Sequence, residues 1–256
     1  RVETVCEAMK SRGHTVRVLT STGGSAKAYD DGRIARLLRL NGMYGDPGGT
    51  EIADLEAIEQ QNNNALGKLL DDFAPDVVHA FSLHGLGKSL LLHIMEADVP
   101  FALDIADPWL RAEFVTDPWL VYWNSDQVSF AKKMMRMGSA ITGGNKKIPT
   151  AAMRGKKPIK DLFHPTGPAK NMRAFIIPRL YFCTDPLKHT AADEQFTVDH
   201  AEIIPSAISA DKFSGEPLPA AEIAVKFLIV SSLNETSRVT EVVDALSALL
   251  AAGHQA

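Results

Sequence analysis

The sequence predicts an α/β protein built on a parallel sheet with helices on both faces. Two short apolar runs, at 77–80 and 101–105, are bounded by Pro, Gly or Asp and suit strands that are buried on both sides. Between these runs the apolar residues recur at helical spacing. Those residues are Leu86, Leu90, Leu91, Ile94 and Met95. A strand, a helix and a second strand in this order form a crossover unit, which is right-handed by default.

The amino-terminal elements continue the same pattern. Apolar residues at 2, 5, 6 and 9 share one helical face, Gly13 ends that helix, and a strand is predicted at 16–20. A parallel sheet normally begins with a strand, so we expect the sequence to start after its first strand. A glycine-rich loop, the run RIARLLRL at 33–40 and a long amphipathic helix at 51–73 follow.

The later part of the chain predicts a second domain. Strand-like runs occur at 139–142, 174–184 and 201–205, and the Pro and Gly content of 215–222 is typical of a linker. A strand at 226–230 and a helix at 239–254 then open a new unit. We therefore predict one domain at 1–214, a linker at 215–225, and the first strand and helix of another domain at 226–256, as in a fragment of a longer protein.

Composition excludes several classes of protein. With 256 residues, 45% of them apolar, the chain is long enough to build substantial cores. A net charge of -4 gives no reason to expect nucleic acid binding, and no apolar run approaches the roughly 18 residues of a membrane span. Cys6 and Cys183 lie far apart, which predicts reduced thiols rather than a disulfide or a zinc site. We expect a cytoplasmic protein.

One segment is strongly basic. Between Gln127 and Thr184 there is a single acid, Asp161, against twelve Lys or Arg residues. These are Lys132, Lys133, Arg136, Lys146, Lys147, Arg154, Lys156, Lys157, Lys160, Lys170, Arg173 and Arg179. A basic segment with interspersed Met, Phe and Ile suits peripheral contact with an anionic membrane or a polyanionic acceptor. The alternative is an ordinary solvated face.

Polar residues follow both strands of the crossover unit. Ser82, His84 and Gly85 follow the first strand, and Asp107 and Trp109 follow the second. Ligands of parallel sheets bind beyond the carboxyl ends of the strands, so these residues predict a cleft. Each has a structural alternative: helix capping for His84, turn initiation for Asp107 and core packing for Trp109. Two further residues lie within the strands: His79 is predicted to be a satisfied core histidine, and Asp104 to be paired if buried.

Five segments, in order, resemble the amino-terminal half of the family-four glycosyltransferases of the GT-B fold. VCEAMKSRGHTVRVLT resembles the first helix and second strand of that family, and PDVVHAFSLHGLGKSLLL its PDVVH strand and helix. VPFALDIADPW is similar to a strand that ends in an acidic, Trp-containing turn. EIIPSAISADKF resembles the IPNGVD-x-x-F segment, and FLIVSSLNETSRVTEVVDALSALLAAGH the opening of the donor domain. The resemblance implies two Rossmann-like domains, the second of them truncated here.

The resemblance implies transfer of a sugar from a nucleotide-sugar donor to a glycan or lipid-linked acceptor, with retention and with neither a bound metal nor a cofactor. Catalytic residues are then Asp107 and His84, and acceptor-binding residues are Ser82, Gly85 and Trp109. Donor-binding residues are Ser232, Ser237 and Arg238. The enzyme activity belongs to the parent protein, and we expect this stretch by itself to be inactive.

Departures from the family pattern support two rival functions. The Gly-Arg pair of the family falls on Ser231 and Ser232, and its Lys on Ser237, so a non-catalytic relative that binds or scaffolds is the first alternative. The second is a P-loop-like nucleotide hydrolase, because SLHGLGKS at 82–89 follows a strand and opens a helix. In that loop Ser82 replaces the first glycine. A P-loop makes a tight turn at this position, and a residue with a Cβ adopts that turn poorly.

Overall fold

In a computed structural model of the chain, the structure is described for residues 2–23, 27–42, 48, 51–124, 148, 153–154, 157–158, 177–206 and 239–253. The chain divides into two compact units, Arg1–Ala207 and Ile208–Ala256. The predicted linker at 215–225 and strand at 226–230 lie outside the described residues. The predicted strand at 139–142 and most of the basic segment also lie outside them, so the exact domain boundary stays a prediction.

The first unit contains both helices and strands. In chain order they are α1 (Val2–Ser11), β1 (Val18–Ser21), β2 (Tyr29–Asp30), β3 (Ile34–Leu38), α2 (Ile52–Phe73), β4 (Val78–Ala80), α3 (Ser89–Glu96), β5 (Phe101–Ile105), α4 (Leu110–Thr116), α5 (Pro118–Asn124), β6 (Met153–Arg154), β7 (Lys157–Pro158), β8 (Leu180–Phe182), α6 (Asp185–Asp193) and β9 (Glu202–Ile203). The second unit contributes α7 (Val239–Ala251), in which no residue is buried.

A parallel four-stranded sheet with the order β4-β5-β8-β9 forms the centre of the first unit. All five residues of β5 are buried, as expected for an inner strand of a parallel sheet covered by helices. The predicted α/β fold with a parallel sheet is therefore confirmed. A second sheet has the order β1-β3-β2, with β1 parallel and β2 antiparallel to β3.

The boundaries of several strands differ from the prediction. The strand predicted at 16–20 begins at Val18, because its pairing with β3 begins at Val18 and Ile34. The run at 33–40 forms β3, which a hairpin joins to β2. In the hairpin turn the Asp31 carboxylate accepts hydrogen bonds from the backbone N–H groups of Arg33 and Ile34. The strands at 174–184 and 201–205 are shorter, as β8 and β9.

Helix α2 confirms the long amphipathic helix predicted at 51–73 and packs against α3 and β3. Its apolar stripe is interrupted by Asn62, which is fully buried. The Asn62 side chain accepts from the backbone N–H of Arg39 at 2.7 Å and donates to the Arg39 carbonyl at 2.9 Å. The amide oxygen and the amide nitrogen of Asn62 therefore each have a hydrogen-bond partner. These bonds connect α2 to the residue that follows β3.

The apolar core lies between the four-stranded sheet and helices α2 to α5. Its largest fully buried aromatic side chains are Trp119, Phe114 and Phe182. Burial of such side chains is the main favourable term in folding. Among the described residues, no helix combines the length and the apolar character needed to cross a membrane.

The prediction that His79 is a core histidine is wrong. Its side chain is 34% exposed, on a strand that pairs on one side only among the described strands. The ring stacks on Phe81 with centroids 4.3 Å apart. The neighbouring Asp104 is buried, and one of its carboxylate oxygens lies 3.7 Å from His79 Nε2, which is the kind of pairing the sequence predicts for this residue if buried.

Candidate functional site

The candidate site lies at the carboxyl ends of β4 and β5, where the sequence predicts a cleft. The two strands are adjacent and parallel, with Ala80 paired to Leu103. His84 follows β4 and Asp107 follows β5, and His84 Nε2 lies 2.9 Å from Asp107 Oδ1. The structure thus brings together the two residues for which the sequence predicts a catalytic role.

A tight turn presents the His84 ring. The backbone N–H of Leu86 donates to the Leu83 carbonyl at 3.0 Å, and Gly85 has a φ of 67°. A positive φ at the third of four residues is the pattern of a type II turn, which favours glycine there. Ser82 is exposed, and its hydroxyl accepts from the His84 N–H at 3.4 Å. His84 therefore occupies a fixed corner of the chain rather than a free loop.

Lys88 lies under this turn and is only 2% exposed. Its ammonium donates to the carbonyls of Leu83 at 2.9 Å and Leu86 at 2.7 Å, and to Glu113 Oε2 at 2.7 Å. An ammonium has three N–H groups, so these three bonds engage all of them. Lys88 Nζ also lies 5.5 Å from the ring centroid of Trp109, an arrangement that favours a cation.

Glu113, on α4, joins Lys88 to His84. One carboxylate oxygen accepts from Lys88, and the other contacts His84 Nδ1. We call these four side chains, Lys88, Glu113, His84 and Asp107, the outer cluster. Their exposed fractions rise in that order, from 2% and 21% to 27% and 44%. The outer cluster is thus a continuous series of polar contacts from the core to the surface, with Asp107 outermost.

A second group of polar side chains, the inner cluster, lies between α2 and α3. Its members are Glu59, Asn63, Ser89 and His93. The Ser89 hydroxyl donates to Glu59, and Asn63 Nδ2 donates to the Ser89 hydroxyl at 2.7 Å. Burial raises the pKa of Glu59 to about 7, and the charge of Asp117 adds to the rise. The inner cluster therefore contains a carboxyl that is largely protonated in mildly acidic solution.

Asp117 lies at the amino end of α5 and connects it to α3. Its carboxylate accepts from the backbone N–H groups of Lys88 and Leu120, both at 2.8 Å. Burial raises the pKa of this carboxyl, while those two hydrogen bonds oppose the rise. Asp117 therefore caps α5 and holds the backbone of Lys88, which directly precedes α3.

The geometry does not favour the P-loop alternative. All three N–H groups of the Lys88 ammonium are engaged within the protein, and the Asp117 carboxylate accepts from the Lys88 backbone N–H. A Cβ at Gly87 would collide with the carboxylate of Glu59. The carboxylates of the protein itself thus lie at the start of α3, where a P-loop needs a phosphate.

The other predicted site residues are less informative. Trp109 is 3% exposed, and its ring meets His84 edge-on at 5.9 Å, which favours the core-packing alternative over an exposed platform for a sugar. Gly85 is half-buried and sets the turn. The predicted donor-binding residues Ser232, Ser237 and Arg238 lie outside the described residues.

Sequence reasoning missed Glu113 and assigned Lys88 only to the P-loop alternative. Glu113 lies six residues after Asp107 on a separate helix, and nothing in this spacing signals a shared site. For metals, no group of three or more His, Cys, Asp or Glu among the described residues is arranged to hold an ion. The His84 ring lies between two carboxylates, so the three side chains do not converge on one point.

Comparison with known families gives one match. The model of the glycosyl transferase 4-like domain matches residues 1–136, which is 136 of the 256 residues. Comparison with curated proteins and with solved structures gives no match. The matched residues include α1 to α5, β4 and β5, and thus the whole outer cluster. By this match and its parallel α/β fold, the chain belongs to the glycosyl transferase 4-like family, as its sequence resemblance predicts.

Proposed function

We propose that the parent protein transfers a sugar from a nucleotide-sugar donor to a glycan or lipid-linked acceptor, and that Asp107 and His84 contact the acceptor. The observation that carries this assignment is the 2.9 Å contact between these two side chains at the ends of adjacent parallel strands. Family membership supports glycosyl transfer in general. The residues of the site, the nucleotide-sugar donor and the glycan or lipid-linked acceptor are proposed in addition to family membership.

Asp107 has the exposure and the chemistry to orient an acceptor hydroxyl. It is the most exposed member of the outer cluster, and His84 contacts one of its oxygens, Oδ1. The acceptor hydroxyl donates to the Asp107 carboxylate and its oxygen bonds to the anomeric carbon. The bond from that carbon to the donor phosphate oxygen breaks and its electron pair leaves on that oxygen, while the hydroxyl proton passes to the Asp107 carboxylate, which releases it to solvent. Correct placement of a reacting group alone is worth large rate factors.

The donor side of the proposal rests on the carboxyl-terminal segment. We propose that Ser232, Ser237 and Arg238 bind the donor diphosphate, with Arg238 supplying positive charge for the leaving group. The reaction proceeds with retention and requires neither a metal nor a cofactor. The acceptor-side domain spans 1–214, the linker 215–225, and the donor domain begins at 226.

The test is release of nucleoside diphosphate from a panel of nucleotide sugars by the full-length protein. Asp107→Asn should lower turnover about 100-fold without a change in the melting curve, because the amide no longer accepts through a charged oxygen. The matched control is Asp76→Asn, an exposed aspartate before the start of β4. Rates that persist in a chelator, and a product with the anomeric configuration of the donor, would support the metal-free retaining reaction.

Two other outcomes would change the assignment. Donor binding without turnover across the whole panel would support the non-catalytic relative, for which Ser231, Ser232 and Ser237 in place of Gly, Arg and Lys are the sequence evidence. Equal turnover in Asp107→Asn and Asp76→Asn would leave glycosyl transfer standing and remove Asp107 from the site.

We further propose that the protein is cytoplasmic and contacts anionic membranes peripherally through the basic segment 127–184. The twelve basic side chains against one acid support this. Flotation with phosphatidylcholine vesicles, with and without phosphatidylglycerol, tests it. Binding should need the anionic lipid, weaken with salt, and fall when Lys132, Lys133 and Arg136 are all changed to Glu. Salt-insensitive or lipid-independent flotation would contradict the electrostatic contact.

A further inference from the structure

The His84 ring is held from both sides. Its Nδ1 contacts a carboxylate oxygen of Glu113, and its Nε2 contacts Asp107 Oδ1 at 2.9 Å. A neutral imidazole has only one N–H, so both contacts are hydrogen bonds donated by the ring only when it carries two protons. The two carboxylates come from different elements, α4 and the turn after β5. The orientation of the ring is therefore fixed by two independent supports.

Lys88 controls both of the features that place this ring. Its bonds to the Leu83 and Leu86 carbonyls close the turn that carries His84. Its third bond, to Glu113 Oε2, compensates the charge of the carboxylate that contacts His84. Since Lys88 is 2% exposed and has no N–H left for a ligand, its contacts serve the protein alone.

We propose that Lys88 and Glu113 are positioning residues that hold the His84 ring against Asp107. Neither touches the acceptor; each acts through His84. The catalytic consequence rests on the proposed function, but the placement of the ring does not. The Lys88 ammonium fixes the backbone of the turn and is also the counter-ion of Glu113. Loss of either Lys88 or Glu113 should therefore move the His84 ring.

The experiment uses full-length protein labelled with ¹⁵N in its histidine rings, together with Glu113→Gln and Lys88→Met. Ring ¹⁵N resonances report the protonation and hydrogen bonding of each nitrogen. In the wild type, the resonances of both His84 nitrogens should report a contact with a carboxylate, Nδ1 with Glu113 and Nε2 with Asp107. Glu113→Gln should remove the carboxylate that contacts Nδ1 and therefore shift the Nδ1 resonance more than the Nε2 resonance. Lys88→Met should keep the carboxylate but broaden the His84 signals, because the turn loses two hydrogen bonds.

Kinetics give the second readout. Both variants should lower kcat by about 10- to 100-fold with little change in KM for the donor, because the donor is bound elsewhere. Matched controls are Glu51→Gln and Lys68→Met, which change exposed side chains of the same types on or beside α2. They should leave both the His84 resonances and kcat at wild-type values.

Two results would overturn the inference. One is a Glu113→Gln protein whose His84 ring nitrogens match the wild type. The other is a folded Lys88→Met protein with sharp His84 signals and wild-type kcat. If Lys88→Met does not fold, Glu113→Gln alone decides, because Gln has nearly the shape of Glu. If the wild type turns over no donor, the proposed function is wrong. The ¹⁵N resonances of His84 still test whether Lys88 and Glu113 position its ring.

Discussion

The outer and inner clusters lie on two sides of the start of α3 and use similar side chains, yet they accommodate burial differently. In the outer cluster the partly buried Glu113 has a buried cation, Lys88, at 2.7 Å. In the inner cluster Glu59 is 1% exposed, and its closest hydrogen-bonding partner is the neutral hydroxyl of Ser89. Glu113 thus has an ionic partner at close range, whereas burial raises the pKa of Glu59 to about 7.

This difference indicates that the outer cluster is the functional site and that the inner cluster has a structural role. A series of polar contacts begins on a buried ammonium and ends on an exposed carboxylate, and it holds Asp107 in a defined position at the surface. The hydrogen bonds of the inner cluster join two helices, and of its four side chains only His93 is partly exposed. The inner cluster therefore fixes where α3 begins, and the turn before α3 carries His84. Substitutions that remove a charge from the outer cluster, or that remove a charge from or add volume to the inner cluster, test this distinction.

The largest effect is expected from Lys88→Met on stability. The change leaves Glu113 without its counter-ion and removes two hydrogen bonds from the turn, and breaking a buried pair costs about 3–5 kcal/mol. Urea unfolding at pH 7 measures it. Lys68→Met, which removes an exposed lysine paired with Asp72, should stay close to the wild-type midpoint. Equal midpoints for the two variants would show that the outer cluster does not stabilise the fold.

The inner cluster should make stability depend on pH. Because the folded pKa of Glu59, about 7, lies above its ordinary 4.5, the folded state holds the proton more tightly. This stabilisation is complete below pH 4.5 and is lost as the pH rises through 7, by about 3 kcal/mol in all. Asp117, whose pKa is also raised, contributes with the same sign.

Glu59→Gln isolates this contribution. The amide keeps the shape of the protonated carboxyl, so the variant should lose less stability than the wild type between pH 5 and pH 8. Urea unfolding at the two pH values gives the difference, and Glu51→Gln serves as the exposed control. If the wild type and Glu59→Gln lose the same free energy over this range, Glu59 is ionised throughout and its buried charge is compensated.

The contrast between the clusters also explains what the sequence could predict. Apolar runs at 77–80 and 101–105 predicted β4 and β5, and the carboxyl-end rule placed His84 and Asp107 at one edge, where they meet at 2.9 Å. These predictions depend on local pattern and on a general property of parallel sheets. They required no knowledge of how the helices pack.

The remaining residues of the site depend on tertiary packing. Glu113 reaches His84 only because α4 folds back over the turn, and Glu59 reaches Ser89 only because α2 and α3 lie together. A carboxylate on a helix has the same local signature whether it faces solvent or a buried lysine. Lys88 even suggested a phosphate-binding loop, since SLHGLGKS does not show that the ammonium turns inward.

A smaller effect is expected from Gly87→Ala, which adds volume where the inner cluster meets α3. The new methyl group would collide with the Glu59 carboxylate, which must give up its bond from Ser89 to make room. We expect a loss of about 2 kcal/mol in the free energy of unfolding. Gly67→Ala is the matched control. Its methyl group meets His93 at an ordinary 3.4 Å within α2, so it should stabilise the helix by about 0.5–1 kcal/mol. Losses of similar size at both positions would show that crowding at Glu59 is not the cause.

The smallest effect is expected from Gly85, because the turn of the outer cluster constrains the backbone rather than the packing. At a φ of 67°, Gly85→Ala should cost about 1 kcal/mol, and Gly85→Asn less, because Asn tolerates the left-handed region. Urea unfolding measures both. If the turn matters only as a support for His84, the two variants should lose activity in the same order as they lose stability. A Gly85→Asn protein that is as stable as the wild type but lacks turnover would mean that a larger side chain at this position blocks the acceptor, and would place Gly85 itself on the acceptor surface.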